Sequence, residues 1–281
     1  MKYQIPFTAF RDILCDLELW HEAPTDLEKL LLEHLLELVS DSQKNIGNIR
    51  LMREFALVEK LLTILKKSDC RNSNTTLLLE IMRGLLCTNP RVSDVLCFAL
   101  FTTATLSFPT VEKRMKTINE GMAMAPEQDQ ENVQQSNKVI LRNQCLKLFF
   151  TLLHTGDDIH INYCEDVVQV VGFDWILLFL HADLHRSTVI WGMRILMTLL
   201  SLPTLMQKFR TGICNGHWLI KSENVLHNKM MEALGTDGAP QNAKVSRKHT
   251  IRSEIFKMPG FQHLNWLLVE HIEVPEVPSF V

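Results

Sequence analysis

Apolar side chains recur every three or four residues along most of this chain, and that spacing restricts the fold more than any other feature. Between residues 25 and 40 the recurring side chain is leucine, with glutamates in between: Leu27, Leu30, Leu31, Leu35 and Leu38. An α-helix has about 3.6 residues per turn, so side chains at this spacing share one face, which is buried against a neighbouring element. Leucine accounts for 43 of the 281 residues, glycine for 11 and proline for 10. The spacing and this composition predict an all-α protein.

The predicted helices follow one another in pairs that are separated by polar, proline or glycine positions. The pairs span residues 25–66, 75–107, 139–171 and 174–202. Each is about 30 to 45 residues long, the size of an armadillo or HEAT unit, in which two helices stack on those of the next unit. The sequence therefore predicts an armadillo/HEAT-like α-solenoid of irregular helix pairs. An irregular helical bundle is the alternative, because no consensus letters recur from pair to pair.

Local signals place several helix ends in the first two pairs. Thr25, followed three residues later by Glu28, predicts a capping box, in which each side chain binds a free amide of the first turn. Residues 48–66 are expected to form one continuous helix. Asn74 is predicted to cap a helix that reaches residue 87, and Asn89-Pro90 to end it and begin the next.

The same patterns divide the chain into four predicted domains. Residues 1–107 and 138–220 are helical repeat segments, and residues 108–137 form an acidic flexible connector. Residues 221–281 are predicted to hold a less regular basic loop and a terminal helix.

Charge and composition exclude several classes of protein. The net charge is −3 at pH 7, whereas general nucleic-acid-binding proteins are strongly basic, so no nucleic acid partner is expected. Seven cysteines, an odd number in a chain that opens without an apolar signal region, indicate reduced thiols in the cytoplasm. The longest uncharged stretch, residues 95–111, holds four threonines and Pro109, so no helix inserted in a membrane is expected.

Two groups of histidines contain residue types found in catalytic metal sites. His181 and His185 lie four residues apart on a predicted helix, but alanine follows the first histidine, where a zinc hydrolase of this type needs glutamate. His154, His160 and Cys164 are metal-ligand types without an accompanying Cys-x-x-Cys pair. We predict that the protein is not an enzyme and holds no cofactor or metal. A metal-dependent hydrolase that uses His181 and His185 is the alternative.

Three cations are the candidate partner-binding residues, assigned to the concave face that a solenoid would present: Arg142, Lys147 and Arg194. Three tryptophans are instead expected in the core: Trp175, Trp191 and Trp218. A stand-alone importin-like cargo adaptor is the rival binding function. It would require tandem asparagine and tryptophan positions along one groove, and the sequence does not contain that pattern.

Several stretches, taken in order, resemble the helical region upstream of the BEACH domain in the large WD-repeat and FYVE domain-containing proteins of the BEACH family. They lie at residues 48–62, 143–148, 173–219 and 259–268, and include Phe173-Asp-Trp-Ile-Leu-Leu-Phe-Leu180 and Thr188-Val-Ile-Trp-Gly-Met-Arg-Ile-Leu196. The resemblance covers most of the chain outside residues 110–136. It includes no catalytic motif and none of the FYVE zinc-binding cysteine pairs.

The resemblance implies a cytoplasmic scaffold for selective autophagy or for the endosomal handling of antigen for cross-presentation. The implied partners are proteins of the trafficking or autophagy machinery, reached through the longer protein at endosomes or autophagic structures. After Val274 the family would continue into a further apolar helix, so the resemblance implies a fragment or a short alternative product. We accordingly expect self-association through an uncapped solenoid end.

Overall fold

A computed structural model describes residues 10–40, 44–67, 73–87, 89–106, 126–156, 158–181, 184–214 and 217–218, together with Phe261 and Leu264. The chain divides into two compact units, Met1–Phe101 and Thr102–Val281. The predicted all-α class is confirmed, since helices account for most of the described residues. Stacking of the helices into a solenoid stays a prediction.

The first unit is built from short helices that follow a single π-helical turn at Phe10–Leu14. The helices are α1 (Leu17–His21), α2 (Thr25–Ser40), α3 (Ile46–Glu54), α4 (Leu57–Lys67), α5 (Ser73–Leu86) and α6 (Val92–Ala104), whose last three residues belong to the second unit. Helix α2 packs against α5, and α4 packs against both α1 and α5. Their fully buried side chains form the core of the unit: Leu35, Met52, Leu57, Leu61, Met82 and Leu85.

The single helix predicted over residues 48–66 is divided in the structure into α3 and α4. The break lies at Phe55 and Ala56, and Ala56 has a φ of 54°, in the left-handed region that residues with a Cβ rarely adopt. Leu57 and Val58, which follow the break, are fully buried. The turn therefore redirects the chain so that α4 buries its apolar face. The spacing of apolar residues along the chain does not predict this break.

The predicted capping box at the start of α2 is wrong. Thr25 is itself the first residue of the helix, and the Pro24 carbonyl accepts the amides of the first turn. The Glu28 side chain is buried, with one oxygen 2.9 Å from His21 Nδ1 and the other accepting a 2.7 Å hydrogen bond from Asn74 Nδ2. Asn74 is likewise inside α5 rather than at its N-cap. These polar groups join α1, α2 and α5 instead of capping single helices.

Two arginines bind carbonyls at the ends of α5 and α3, where helix carbonyls lack partners within the helix. Arg53 Nε donates a 2.8 Å hydrogen bond to the carbonyl of Leu85, and its Nη1 donates one of 3.1 Å to the carbonyl of Asn89. Arg91 pairs with Asp94 at 2.9 Å and also donates to the carbonyl of Arg53. The predicted break at Asn89-Pro90 is confirmed, because α5 ends before it and α6 begins after it.

The second unit contains longer helices and two hairpins of two-residue strands. Its elements after α6 are α7 (Pro126–Leu152), β1 (His154–Thr155), β2 (Asp158–Ile159), α8 (Ile161–Leu177), a 3₁₀ turn (Leu178–Leu180), α9 (Arg186–Leu200), α10 (Pro203–Thr211), β3 (Ile213–Cys214) and β4 (His217–Trp218). The strands pair antiparallel, His154 with Ile159 and Ile213 with Trp218. Helix α8 is kinked at Gly172, whose φ is 78°, between the predicted helix pairs at residues 139–171 and 174–202.

Aromatic side chains fill the core of the second unit. Trp175 is fully buried, with its ring centroid 4.8 Å from that of Phe149 and 5.1 Å from that of Phe179. Its indole Nε1 donates a 3.1 Å hydrogen bond to Thr103 Oγ1, so the one polar atom of this side chain has a partner. The prediction that Trp175 belongs to the core is confirmed.

The predicted connector overlaps the described residues only in part. Helix α7 begins at Pro126, so residues 126–137 are helical where a flexible connector was predicted. Residues 107–125 lie outside the described part of the chain, as do residues 219–281 apart from Phe261 and Leu264. The predicted basic loop and terminal helix therefore stay predictions.

Within the described residues, no single helix has both the length and the hydropathy needed to cross a membrane. Helices α9 and α10 meet these criteria jointly, but they are bent by 110° relative to each other. Both contribute fully buried side chains to the second unit, including Leu199 and Phe209.

Candidate interaction surface

Arg142, one of the three predicted partner-binding residues, is fully buried between α7, α9 and the end of α6. Its exposed fraction is 0%. Its Nε donates a 3.1 Å hydrogen bond to Thr188 Oγ1, and its Nη1 donates one of 3.2 Å to the carbonyl of Thr105. Arg142 is therefore a structural residue of the second unit and is not available on its surface, so the prediction that it binds a partner is wrong.

The hydrogen bonds of Arg142 continue into a polar network that joins α7 to α9. Thr188 Oγ1 donates to Asn143 Oδ1 at 2.8 Å, and Asn143 Nδ2 donates to Ser187 Oγ at 2.6 Å. Hydrogen bonds of this length are directional. The network therefore fixes the position of one helix along the other and holds their outer faces in a defined arrangement.

Beside this network, half-buried aromatic rings from α7 and α9 meet. The ring centroid of Phe150 is 5.9 Å from that of Trp191 and 4.5 Å from that of His154. The guanidinium carbon of Arg194 lies 4.8 Å from the centre of the Trp191 ring, within cation–π distance. Trp191 is thus partly exposed, and the prediction that it belongs to the core is wrong. The side chain of Trp218 lies outside the described part of the structure.

Exposed residues surround these rings. Lys147 is exposed on α7, one turn before Phe150. On α9, Ile190 is 44% exposed and Met197 is 65% exposed. We call this surface the α7–α9 face and define it by Lys147, Phe150, His154, Ile190, Trp191, Arg194 and Met197. Two of the three predicted binding residues, Lys147 and Arg194, lie on it.

Positive and negative side chains are unevenly distributed along the second unit. Residues 132–156 and 184–214 contain seven lysines and arginines and no aspartate or glutamate, whereas residues 158–181 contain four acids and no lysine or arginine. The first two ranges include α9, α10 and most of α7, and the third includes β2 and α8. Helix α7 begins before residue 132 and carries Glu127, Asp129 and Glu131 in its first two turns, but the part of α7 that contributes to the α7–α9 face carries only positive charge, as does α9. This partition is readable in the sequence, and it is the signal that points to the face.

The predicted metal pair, His181 and His185, does not share a helix. His181 follows the 3₁₀ turn, and His185 is the N-cap of α9, where its Nδ1 accepts the amide of Ser187 at 3.3 Å. The expected spacing along one helix face is therefore wrong. Among the described residues, no group of three His, Cys, Asp or Glu side chains is arranged to hold a metal ion.

The side chains of the second candidate group make local contacts. This group consists of His154, His160 and Cys164. His154 Nδ1 lies 2.8 Å from the Phe150 carbonyl, and His160 Nδ1 accepts the amide of Tyr163 at 3.0 Å. Cys164 Sγ lies 3.7 Å from the Leu153 carbonyl, and burial raises the pKa of its thiol to about 11. A thiol with this pKa is protonated at neutral pH and is a poor nucleophile.

The first unit contains a small crevice between α1, α2, α4 and α5. It has no room for even a water-sized molecule, and apart from Glu28 it is lined by apolar side chains such as Leu31 and Ile64. Sites for small molecules usually occupy at least about 300 Å³. The crevice is too small for such a ligand, and its single carboxylate is already bound to His21 and Asn74.

Comparison with known proteins identifies relatives of one kind. The chain is 27% identical over 271 residues to WD repeat- and FYVE domain-containing protein 4 of Homo sapiens, covering 96% of this chain and 8% of that protein. The Mus musculus protein of the same name is 29% identical over 270 residues, covering 95% and 8%. BEACH domain-containing protein A2 of Arabidopsis thaliana is 26% identical over 201 residues, covering 70% and 5%. The chain thus spans less than a tenth of the length of these relatives.

No family model matches the chain. No solved structure matches it either.

Proposed function

We propose that this chain, which is related to the WD repeat- and FYVE domain-containing proteins and other BEACH proteins, is a non-catalytic protein-interaction segment of a large scaffold. In this proposal the scaffold acts in selective autophagy or endosomal vesicle trafficking, including the handling of antigen for cross-presentation. The observation that carries the proposal is the similarity to WD repeat- and FYVE domain-containing protein 4 over 96% of the chain.

The proposed mechanism is physical presentation of a surface. Buried polar networks, such as Glu28 with Asn74 and Arg142 with Thr188, hold each unit in one arrangement. The outer faces of the helices then offer side chains in fixed positions, so a partner binds with little loss of conformational entropy in the scaffold. The partners we propose are proteins of the trafficking or autophagy machinery, met in the cytoplasm at endosomes or autophagic structures.

Proximity labelling tests this proposal. The complete 281-residue chain, and the same segment within a longer protein, are each fused to a biotin ligase and expressed in cells. We expect both fusions to label a shared set of endosomal or autophagic proteins. Labelling of chaperones alone by the 281-residue chain would overturn the proposal for this chain.

Two measurements on the purified chain test the proposal further. Elemental analysis is expected to find far less than one zinc ion per chain, and stoichiometric zinc that is lost in His185→Ala would favour the hydrolase alternative. Light scattering at increasing concentration tests self-association. A growing mass is expected if apolar helix faces meet between copies, and a constant monomer mass would refute self-association.

A further inference from the structure

We propose, building on the function proposed above, that the α7–α9 face binds an acidic segment of a partner protein that carries an aromatic or aliphatic anchor side chain. The anchor packs on Trp191 and Phe150, and carboxylates on either side of it pair with Lys147 and Arg194. Three features of the molecule support this binding: the apolar centre of the face, its cations, and the distribution of charge in the second unit.

The centre of the face is apolar and only partly covered. Phe150 and Trp191 are half-buried, with ring centroids 5.9 Å apart, so each ring keeps part of its surface open. Ile190 and Met197 extend this apolar area, at 44% and 65% exposure. Partly exposed tryptophan together with methionine is typical of surfaces that bind protein segments, because tryptophan provides a large rigid apolar area and methionine adapts its shape to the ligand.

The cations are placed at the edge of this apolar centre. Arg194 is held over the Trp191 ring, with its guanidinium carbon 4.8 Å from the ring centre, which reduces its freedom before a partner arrives. A planar guanidinium in a fixed position matches the geometry of a carboxylate. Lys147, on α7, supplies a second exposed ammonium group on the neighbouring helix. Two cations beside a tryptophan therefore favour a ligand that is both anionic and apolar.

The charge of the surrounding elements favours an acidic ligand over a neutral one. Residues 132–156 and 184–214 contain no carboxylate side chain, so an acidic segment meets no like charge on α9 or on the part of α7 that carries Lys147. The acids of α7, Glu127, Asp129 and Glu131, precede Lys147 by 16 residues or more. The acids of residues 158–181 lie on β2 and α8, and one of them, Glu165, accepts a 2.6 Å hydrogen bond from Thr204. Asp158 is exposed on β2, in the hairpin that also contains His154, and its charge sets the end of the face that an acidic ligand avoids.

The same observations favour a peptide over an anionic membrane. Recognition of anionic lipid usually takes a cluster of about four to eight lysines and arginines, whereas the α7–α9 face has Lys147 and Arg194 beside partly buried rings. A peptide matches two cations and one apolar centre.

Fluorescence anisotropy with the complete chain tests the proposal. The probe is a labelled 12-residue peptide of glutamate and leucine with one central tryptophan, and the comparison peptide replaces every glutamate by glutamine. We expect saturable binding of the acidic peptide and at least about tenfold weaker binding of the neutral one. Binding of the acidic peptide should also weaken as salt is raised, because salt screens exposed charges.

A matched pair of variants locates the binding site. Lys147→Glu combined with Arg194→Glu should weaken binding of the acidic peptide by about tenfold or more, and Trp191→Ala by about fivefold or more, in line with the usual weight of charged and tryptophan contacts. Lys138→Glu is the control, because it makes the same charge change at another exposed lysine of α7. Lys138 lies nine residues from Lys147, about half a turn around the helix axis. The control should change binding by less than about twofold. Circular dichroism and thermal unfolding must match the unmodified chain for each variant.

Each other result overturns the proposal in a distinct way. Equal loss of binding in Lys138→Glu would indicate unspecific attraction. Binding to vesicles that contain phosphatidylserine, without binding to the peptide, would indicate a membrane surface. Self-association that the Lys147 and Arg194 changes abolish would identify a second copy of this chain as the occupant. Absence of peptide binding, with unchanged labelling of endosomal proteins by the same variants, would remove this face and leave the proposed function intact.

Discussion

Replacement of Gly84 by alanine should destabilise the first unit, because this glycine lets α5 lie directly against α2. A Cβ added to Gly84 would lie 2.7 Å from Val39 Cγ2 and 3.1 Å from the Val39 carbonyl oxygen. Favourable contact between carbon atoms begins at about 3.5 Å. Val39 cannot turn aside easily, because it is β-branched and has essentially one χ1 rotamer in a helix. The helices must therefore separate to admit the methyl group.

Two opposing contributions determine how much Gly84→Ala changes the free energy of unfolding. Alanine in a helix interior is favoured over glycine by about 1 kcal/mol. An added methyl group in a packed core costs about 1 to 3 kcal/mol. A contact as short as 2.7 Å to a stiff side chain belongs at the upper end, so we expect Gly84→Ala to lower the free energy of unfolding of the first unit by about 1 to 2 kcal/mol.

Gly47 offers the matched control. It also lies in a helix, α3, but a Cβ added there meets nothing within 4 Å. Gly47→Ala should therefore show the helix preference alone and raise the free energy of unfolding by up to about 1 kcal/mol. The two variants make the same chemical change with opposite expected signs.

Hydrogen exchange of the complete chain measures both effects and separates the two units. Peptides from α2 and α5 should exchange about 5 to 30 times faster in Gly84→Ala, the factor that corresponds to the expected loss, while peptides from α7 to α10 stay unchanged. Adding Val39→Ala to Gly84→Ala should cost at least about 0.5 kcal/mol less than the sum of the single changes, since the pair is in contact. A Gly84→Ala chain as protected as Gly47→Ala would refute the close approach of α2 and α5.

Three further predictions concern the second unit and the thiols. Arg142→Met should lower the stability of the second unit by about 1 to 3 kcal/mol, measured as faster exchange in α7 and α9, because buried Thr105 and Thr188 lose a charged donor. Burial raises the pKa of Asp174 to about 8 from 3.8, so Asp174 holds its proton in the folded chain between those values while the unfolded chain releases it. Its contribution to stability is then complete below about pH 4 and lost as the pH rises through about 8, and Asp174→Asn should stabilise the chain more at pH 8 than at pH 5 in urea unfolding. Burial also raises the pKa of Cys15 and Cys164 to about 11, so iodoacetamide at pH 7.5 should label partly exposed Cys87 well before these two thiols, as read by mass spectrometry; equal labelling in native buffer would contradict their burial.

Helix positions in this chain could be predicted because the signal is local. In α4, the apolar residues at this spacing are buried: Val58, Leu61, Leu62 and Leu65. In α2 the same spacing was less exact. Leu31 and Leu35 are buried, whereas Leu27 and Leu30 are 46% and 61% exposed. Spacing identifies a helix and an approximate face, but the width of the buried face depends on which helices lie against it.

Polar residues were harder to assign from the sequence. Glu28 and Asn74 have the residue types and positions of helix caps, yet they bind each other across 46 positions of the chain. Arg142 and Lys147 are both cations on α7, five residues apart, and only Lys147 is exposed. The position of Arg142 among Val139, Leu146 and Phe149 on the helix surface was a signal of burial. Its hydrogen-bond partners were not predictable, because Thr105 and Thr188 lie 37 and 46 residues away.

The sequence by itself determined which segments are helical, where several of them break, and how charge is divided between residues 158–181 and their neighbours. These properties depend on contacts within one or two helical turns, or on composition alone. The tertiary structure decided which polar groups are buried and which aromatic rings meet on the α7–α9 face. Those outcomes depend on pairing between helix faces that are distant in the chain, and periodicity along one helix contains no information about its neighbour.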